Sequence, residues 1–283
     1  MMKRLKYIIP ILLVLLTLTA CANTKVDKIK TKQNTEKPAF EDTPTLYFHG
    51  LMGSHKNEIP FAKAAKKSGM TNSVTRAHVD KKGKVKLIGK IGKKAKNPII
   101  EVDFEDNVQP SFKRNGEYAT NVVKALQKKY HIKTVNMIGY SLGNMAIIHY
   151  MMQNGDKKSM PQLKKQVSIG GHFDGAYFKE LPPGFRQPKN VKLDHNGKPN
   201  KMNQTYKEML AVRPLYREHH VEVLNVIGNI GNNSDGVVET VSAKSLKYLI
   251  ADSPYHEFQV NSDHGSLPGN KEVNTKIIKF LWR

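Results

Sequence analysis

Thr134-Val135-Asn136-Met137-Ile138-Gly139-Tyr140-Ser141-Leu142-Gly143 decides how the rest of this chain reads. Thr134 to Tyr140 has the apolar content of a strand. Beyond Gly143, the run Met145, Ala146, Ile147, Ile148, Tyr150, Met151 and Met152 is apolar almost all round, the pattern of a buried helix. Between the two sits Gly-x-Ser-x-Gly at 139–143, whose glycines let the backbone turn sharply and hold Ser141 strained and exposed. The pentapeptide alone arises by chance in roughly one chain in ten of this length. A strand before it and a helix after it make Ser141 a candidate nucleophile.

A serine hydroxyl is a weak nucleophile at its own pKa, so it needs a base within hydrogen-bond reach and an acid to orient that base. When the serine sits on a strand-to-helix turn, the order along the chain is serine, acid, histidine. His264, in Asp263-His264-Gly265 after the strand Glu257 to Val260, is the candidate base among eleven histidines. Two acids compete. Asp235, in Ser234-Asp235-Gly236 after the strand Glu222 to Ile227, has the expected position, and Asp174, in Phe173-Asp174-Gly175, follows the preceding strand. Asp263, next to the histidine, reads as a turn former. The acyl oxyanion needs two backbone donors, one from the residue after the serine and one from an early loop. These are Leu142 and, in Phe48-His49-Gly50-Leu51-Met52-Gly53-Ser54, Leu51, with Met52 as the alternative. This chemistry calls for no metal and no cofactor.

The surrounding pattern alternates strand and helix. A strand over Thr43 to Phe48 precedes an Ala- and Lys-rich helix, and Ser73 to Asp80 and Lys84 to Ile91 read as a β-hairpin turning at Lys81-Lys82-Gly83. Pro98 to Phe104 is a strand. Val122, Val123, Leu126 and Tyr130 line one face of a helix whose Lys124, Lys128 and Lys129 lie off it. Gln166 to Ile169 adds a strand, and a last helix carries Val273, Ile277, Ile278 and Leu281 on one side. Such alternation predicts an α/β fold, a mostly parallel sheet with helices on both faces. The hairpin near 73–91 is an excursion from it. The polar, Pro- and Gly-rich stretch 172–220 reads as a lid-like insertion. With the serine turn, this is the α/β-hydrolase fold.

These residues resemble the family of Gram-positive cell-surface α/β-hydrolases known as domain of unknown function 915. The resemblance is carried by Phe48 to Ser54, the hairpin around Gly83, Gly139 to Gly143, and Phe173 to Gly175. It continues in Ser234 to Val238, Ser242-Ala243-Lys244-Ser245-Leu246, His264 and the closing Phe280-Leu281-Trp282. The chain departs from the family at His264-Gly265-Ser266-Leu267-Pro268-Gly269-Asn270, where the family has His-Ser-x-Leu-His-Glu-Asn. It also has Tyr140 and Leu142 inside the motif, in place of the family's His and Met. The resemblance implies hydrolysis of carboxylic esters of short acyl chains.

The ends of the chain add location. Lys3, Arg4 and Lys6 precede an Ile- and Leu-rich run from Tyr7 to Ala20, too short to span a bilayer and interrupted by Pro10. Residues 1–20 read as a signal peptide, and Leu18-Thr19-Ala20-Cys21 resembles the bacterial lipobox, which makes Cys21 the lipidated first residue of the mature protein. Cys21 is the only cysteine, which excludes an internal disulfide. Residues 21–40, rich in Lys, Thr, Asn and Gln, read as a tether, and 41–283 as the hydrolase domain. The expected location is the outer face of a bacterial membrane.

The formal charge of +22 becomes +19 when Lys3, Arg4 and Lys6 leave (22 − 3). The lysines are dispersed and lack the interleaved aromatics of a nucleic-acid platform, so nucleic acid is not an expected partner. Anionic envelope polymers are a candidate partner, beside a small acyl-ester substrate and the membrane at Cys21. The leading expectation is an esterase or lipase-like serine hydrolase. An acyltransferase or peptidase with the same triad, and a surface lipoprotein without turnover, are the alternatives.

Overall fold

The computed structural model describes residue 40 and residues 42–177 and 183–283. Signal peptide, Cys21 and all of the tether but Phe40 lie outside the described residues. Phe40 belongs to the folded body: it is buried, with its ring 5.8 Å from that of Tyr130.

Eight strands form one sheet: β1 (Thr45–Phe48), β2 (Val74–Val79), β3 (Val85–Ile88), β4 (Ile99–Phe104), β5 (Thr134–Tyr140), β6 (Gln162–Ile169), β7 (Glu222–Gly228) and β8 (Tyr255–Val260). Their spatial order is β3-β2-β4-β1-β5-β6-β7-β8. Only the β2–β3 pair is antiparallel. This edge hairpin is the expected excursion, and Asp80 shapes its turn by accepting the Lys82 and Lys84 amides at 2.9 and 2.8 Å.

Both faces of the sheet are apolar because successive side chains on a strand point to opposite sides. Leu46, Phe48, Ile100, Val102, Val135 and Met137 share one core with helices α2 (Phe112–Tyr130) and α3 (Gly143–Asn154). Tyr47, Ile99, Ile138, Tyr140, Leu224 and Val226 share the other with α1 (Ile59–Lys67) and α8 (Lys271–Trp282). The amphipathic reading of α2 holds residue by residue: Val122, Val123, Leu126 and Tyr130 are buried, and Lys124, Lys128 and Lys129 are exposed. Ser111 Oγ caps the start of this helix by accepting the Arg114 amide, and His131, with φ of 54°, ends it.

The insertion after β6 is partly core. Phe173, Phe185, Tyr206 and Met209 are buried, the last two on α4 (Gln204–Met209). Its final segment, α5 (Arg213–His219), leads into β7 as an ordinary crossover helix. Two short helices, α6 (Thr240–Lys244) and α7 (Leu246–Leu249), lie between β7 and β8. Among the described residues, no helix is long and apolar enough to cross a membrane.

Candidate active site

In a parallel sheet the loops after the carboxyl ends of the strands gather at one edge, and Leu51, Ser141, Leu142, Asp174, Asp235 and His264 are all there. Ser141 occupies the turn between β5 and α3 with φ of 50°, a left-handed conformation uncommon for a residue with a side chain. Neighbouring chain holds it there. A Cβ on Gly143 would stand 2.2 Å from the Phe48 carbonyl oxygen, and one on Gly139 2.7 Å from the Asn144 amide nitrogen, so the turn closes only with glycine at both places. Buried Asn144 braces it further, donating from Nδ2 to the Ser141 carbonyl at 3.0 Å.

His264, in the loop between β8 and α8, reaches Ser141 Oγ with Nε2 at 2.9 Å and Asp235 Oδ2 with Nδ1 at 2.7 Å. A carboxylate only accepts, so Nδ1 carries the proton and Nε2 is left to accept from the serine hydroxyl. The other oxygen of Asp235 accepts the Val237 and Val238 amides at 2.9 and 2.6 Å, which fixes the carboxylate, and its carbonyl accepts the His264 amide at 2.8 Å. The Tyr140 hydroxyl donates to the His264 carbonyl at 3.0 Å. Asp235 and His264 are thus tied by main chain as well as side chain.

Asp174 is buried but has another partner: its Oδ1 accepts the Asn203 amide at 3.0 Å. Burial raises its pKa to about 6. Of the two competing acids, Asp235 is the one bonded to His264. Asp263 is a turn former, accepting the Ser266 amide at 3.1 Å.

At the end of β1 the Met52 amide donates to the Asn107 carbonyl at 2.8 Å. Among the described residues, the Leu51 amide meets no protein acceptor, and neither does that of Leu142 at the head of α3. The side chain of His49 accounts for how Leu51 is aimed, and the sequence reading passed over it. Its Nδ1–H donates to the Gly50 carbonyl at 2.8 Å while Nε2 accepts the Phe104 amide at 3.0 Å. Gly53 donates to the same Gly50 carbonyl at 3.1 Å. In a trans peptide the N–H points opposite to the C=O, so pinning the Gly50 carbonyl turns the Leu51 N–H the other way. Both bonds need a neutral imidazole, and burial lowers the His49 pKa, favouring that form.

A second buried histidine, His172, packs edge-on against Phe185 with ring centroids 4.9 Å apart. Desolvation brings its pKa down to about 4. Among the described residues, no group of three or more His, Cys, Asp or Glu side chains is placed to hold a metal ion.

A mostly parallel eight-stranded sheet, with a serine on the turn after a central strand and a histidine and an acid on later strand ends, defines an α/β hydrolase. The chain belongs to the family described as alpha/beta hydrolase of unknown function (DUF915), whose model matches residues 31–283. Among solved structures, the product of gene lin2722 of Listeria innocua is 23% identical with a TM-score of 0.74, the match covering 85% of this chain and 94% of that one. A candidate cell surface hydrolase from Lactobacillus plantarum WCFS1 is 17% identical with a TM-score of 0.61, the match covering 84% of this chain and 89% of that one. No curated protein matches the chain. At these identities the structural likeness speaks for the fold.

Proposed function

We propose that the protein is a serine hydrolase of carboxylic esters, with Ser141 as nucleophile, His264 as base and acid, and Asp235 as the orienting carboxylate. The observation that carries this reading is the relay from Asp235 Oδ2 through His264 to Ser141 Oγ, at 2.7 and 2.9 Å. Ser141 Oγ attacks the acyl carbon as His264 Nε2 takes its proton. The carbonyl oxygen, now anionic, accepts the Leu51 and Leu142 amides. Collapse expels the alcohol, which takes the proton from His264, and leaves an acyl-serine. Water, deprotonated by the same nitrogen, then releases the carboxylic acid and restores Ser141.

In this reading the enzyme works outside the cell, held to the membrane through lipidated Cys21. The basic-then-apolar N-terminal sequence and its lipobox-like Leu18-Thr19-Ala20-Cys21 support that location, as does the description of the Lactobacillus neighbour as a cell-surface protein. The test is turnover of short-chain aryl esters by the purified chain. Ser141→Ala is expected to remove at least 10⁴-fold of kcat; equal turnover by parent and variant would refute the assignment.

A further inference from the structure

Large apolar side chains left in water are informative when they cluster. Those most exposed among the described residues are Leu51 at 50%, Met52 at 76%, Val108 at 56%, Tyr177 at 51% and Ile230 at 48%. They come from four separate loops, following β1, β4, β6 and β7, and every one of these loops opens at the sheet edge that carries Ser141. The Met52 amide bonds to Asn107, beside Val108. Ile230 bonds through its own amide to Ser234, beside Asp235. The Tyr177 hydroxyl accepts from Gln187, whose Nε2 also donates at 2.6 Å to Glu239, on the Asp235 loop. The apolar side chains therefore form a rim round the site rather than a scatter over the surface.

We propose that this rim docks on an anionic lipid bilayer, so that the ester substrate is an acyl lipid taken from the membrane surface. The substrate part rests on the proposed esterase reading; the docking part does not. Charge chooses the bilayer over a second copy of the chain. At +19, the charge left when Lys3, Arg4 and Lys6 leave (22 − 3), two copies repel one another, whereas an anionic leaflet attracts. Exposed cations also flank the rim, with Lys56 four residues from Met52 and Lys113 five from Val108. Apolar contact combined with electrostatic attraction is the requirement for binding at a membrane interface. Geometry permits it as well: residues 22–39 can span at most roughly 60 Å, so an anchor at Cys21 leaves room for the rim to face the bilayer.

The test is partitioning of the mature chain, residues 21–283 with Cys21→Ser and Ser141→Ala, without leader, acyl anchor or turnover, onto vesicles of phosphatidylglycerol and phosphatidylcholine. A matched chain adds Val108→Ser and Ile230→Ser, with its melting temperature as the fold control. The double rim substitution is expected to weaken partitioning at least tenfold at equal salt. Partitioning onto pure phosphatidylcholine is expected to be weaker than onto the mixed vesicles for both chains. Equal partitioning of the two matched chains would overturn the proposal, and binding abolished by salt yet indifferent to the rim would mean simple polyanion attraction. A vesicle-free dimer lost in the rim variant would assign the rim to self-association. Failure of the esterase reading would show separately, as no turnover of a soluble ester by the chain with Ser141 intact.

Discussion

The competition between Asp235 and Asp174 turns on single hydrogen bonds. Both are buried and follow strands, and both sit in loops with glycine nearby, so position along the chain favours Asp235 without excluding Asp174. Only Asp235 meets His264; Asp174 holds the Asn203 amide at the start of α4. Asp235→Asn should therefore lower kcat by about 10³–10⁴-fold, because an amide at that place favours the wrong imidazole tautomer. Asp174→Asn keeps an acceptor for Asn203 and should cost less than tenfold. Steady-state kinetics on one soluble ester compares the two, and a larger loss in the Asp174 variant would reverse the assignment.

The elements that make the site differ in how openly the sequence announced them. The turn at Ser141 was legible because glycine is needed where backbones touch, at 139 and 143, and a strand and a helix flank it. β6 was half legible: its first residues, Gln162-Leu163-Lys164-Lys165, are polar enough to hide a strand that buries only Leu163 there. The short helices α4 to α7 run from four to seven residues, too few to display a helical period. His49 was not legible within Phe48 to Ser54, because a residue that orients a peptide through two main-chain bonds carries no spacing signal. Its role gives a prediction at the junction of β1 and β4. His49→Ala frees the Gly50 carbonyl from one of its two donors and should reduce kcat by about 10–100-fold with little change in KM, less than outright loss of an oxyanion donor. An effect confined to KM would instead make His49 a substrate-binding residue.

Across the whole molecule, the sheet and its two apolar faces follow from alternation that the sequence displays, while a buried carboxyl just before α1 does not. Glu58, preceding α1, is fully buried, and the backbone of Val102 gives its carboxyl too little support to offset that burial. Burial, then the nearby carboxylates of Glu101 and Asp103, raises its pKa well above 4.5. The folded state thus holds a proton that the unfolded state releases, and stability falls as pH climbs from 4.5 towards the folded pKa. Glu58→Gln removes that dependence. Its melting temperature relative to the parent should rise steadily with pH above 4.5, and a gap that stays constant with pH would count against a protonated Glu58. The central claim, that Ser141 is an activated nucleophile, is tested most directly by reacting the folded chain with a fluorophosphonate probe and mapping the adduct by mass spectrometry. One adduct, on the peptide that carries Ser141 and absent from Ser141→Ala, is the predicted result; a folded chain whose Ser141 stays unlabelled would contradict it.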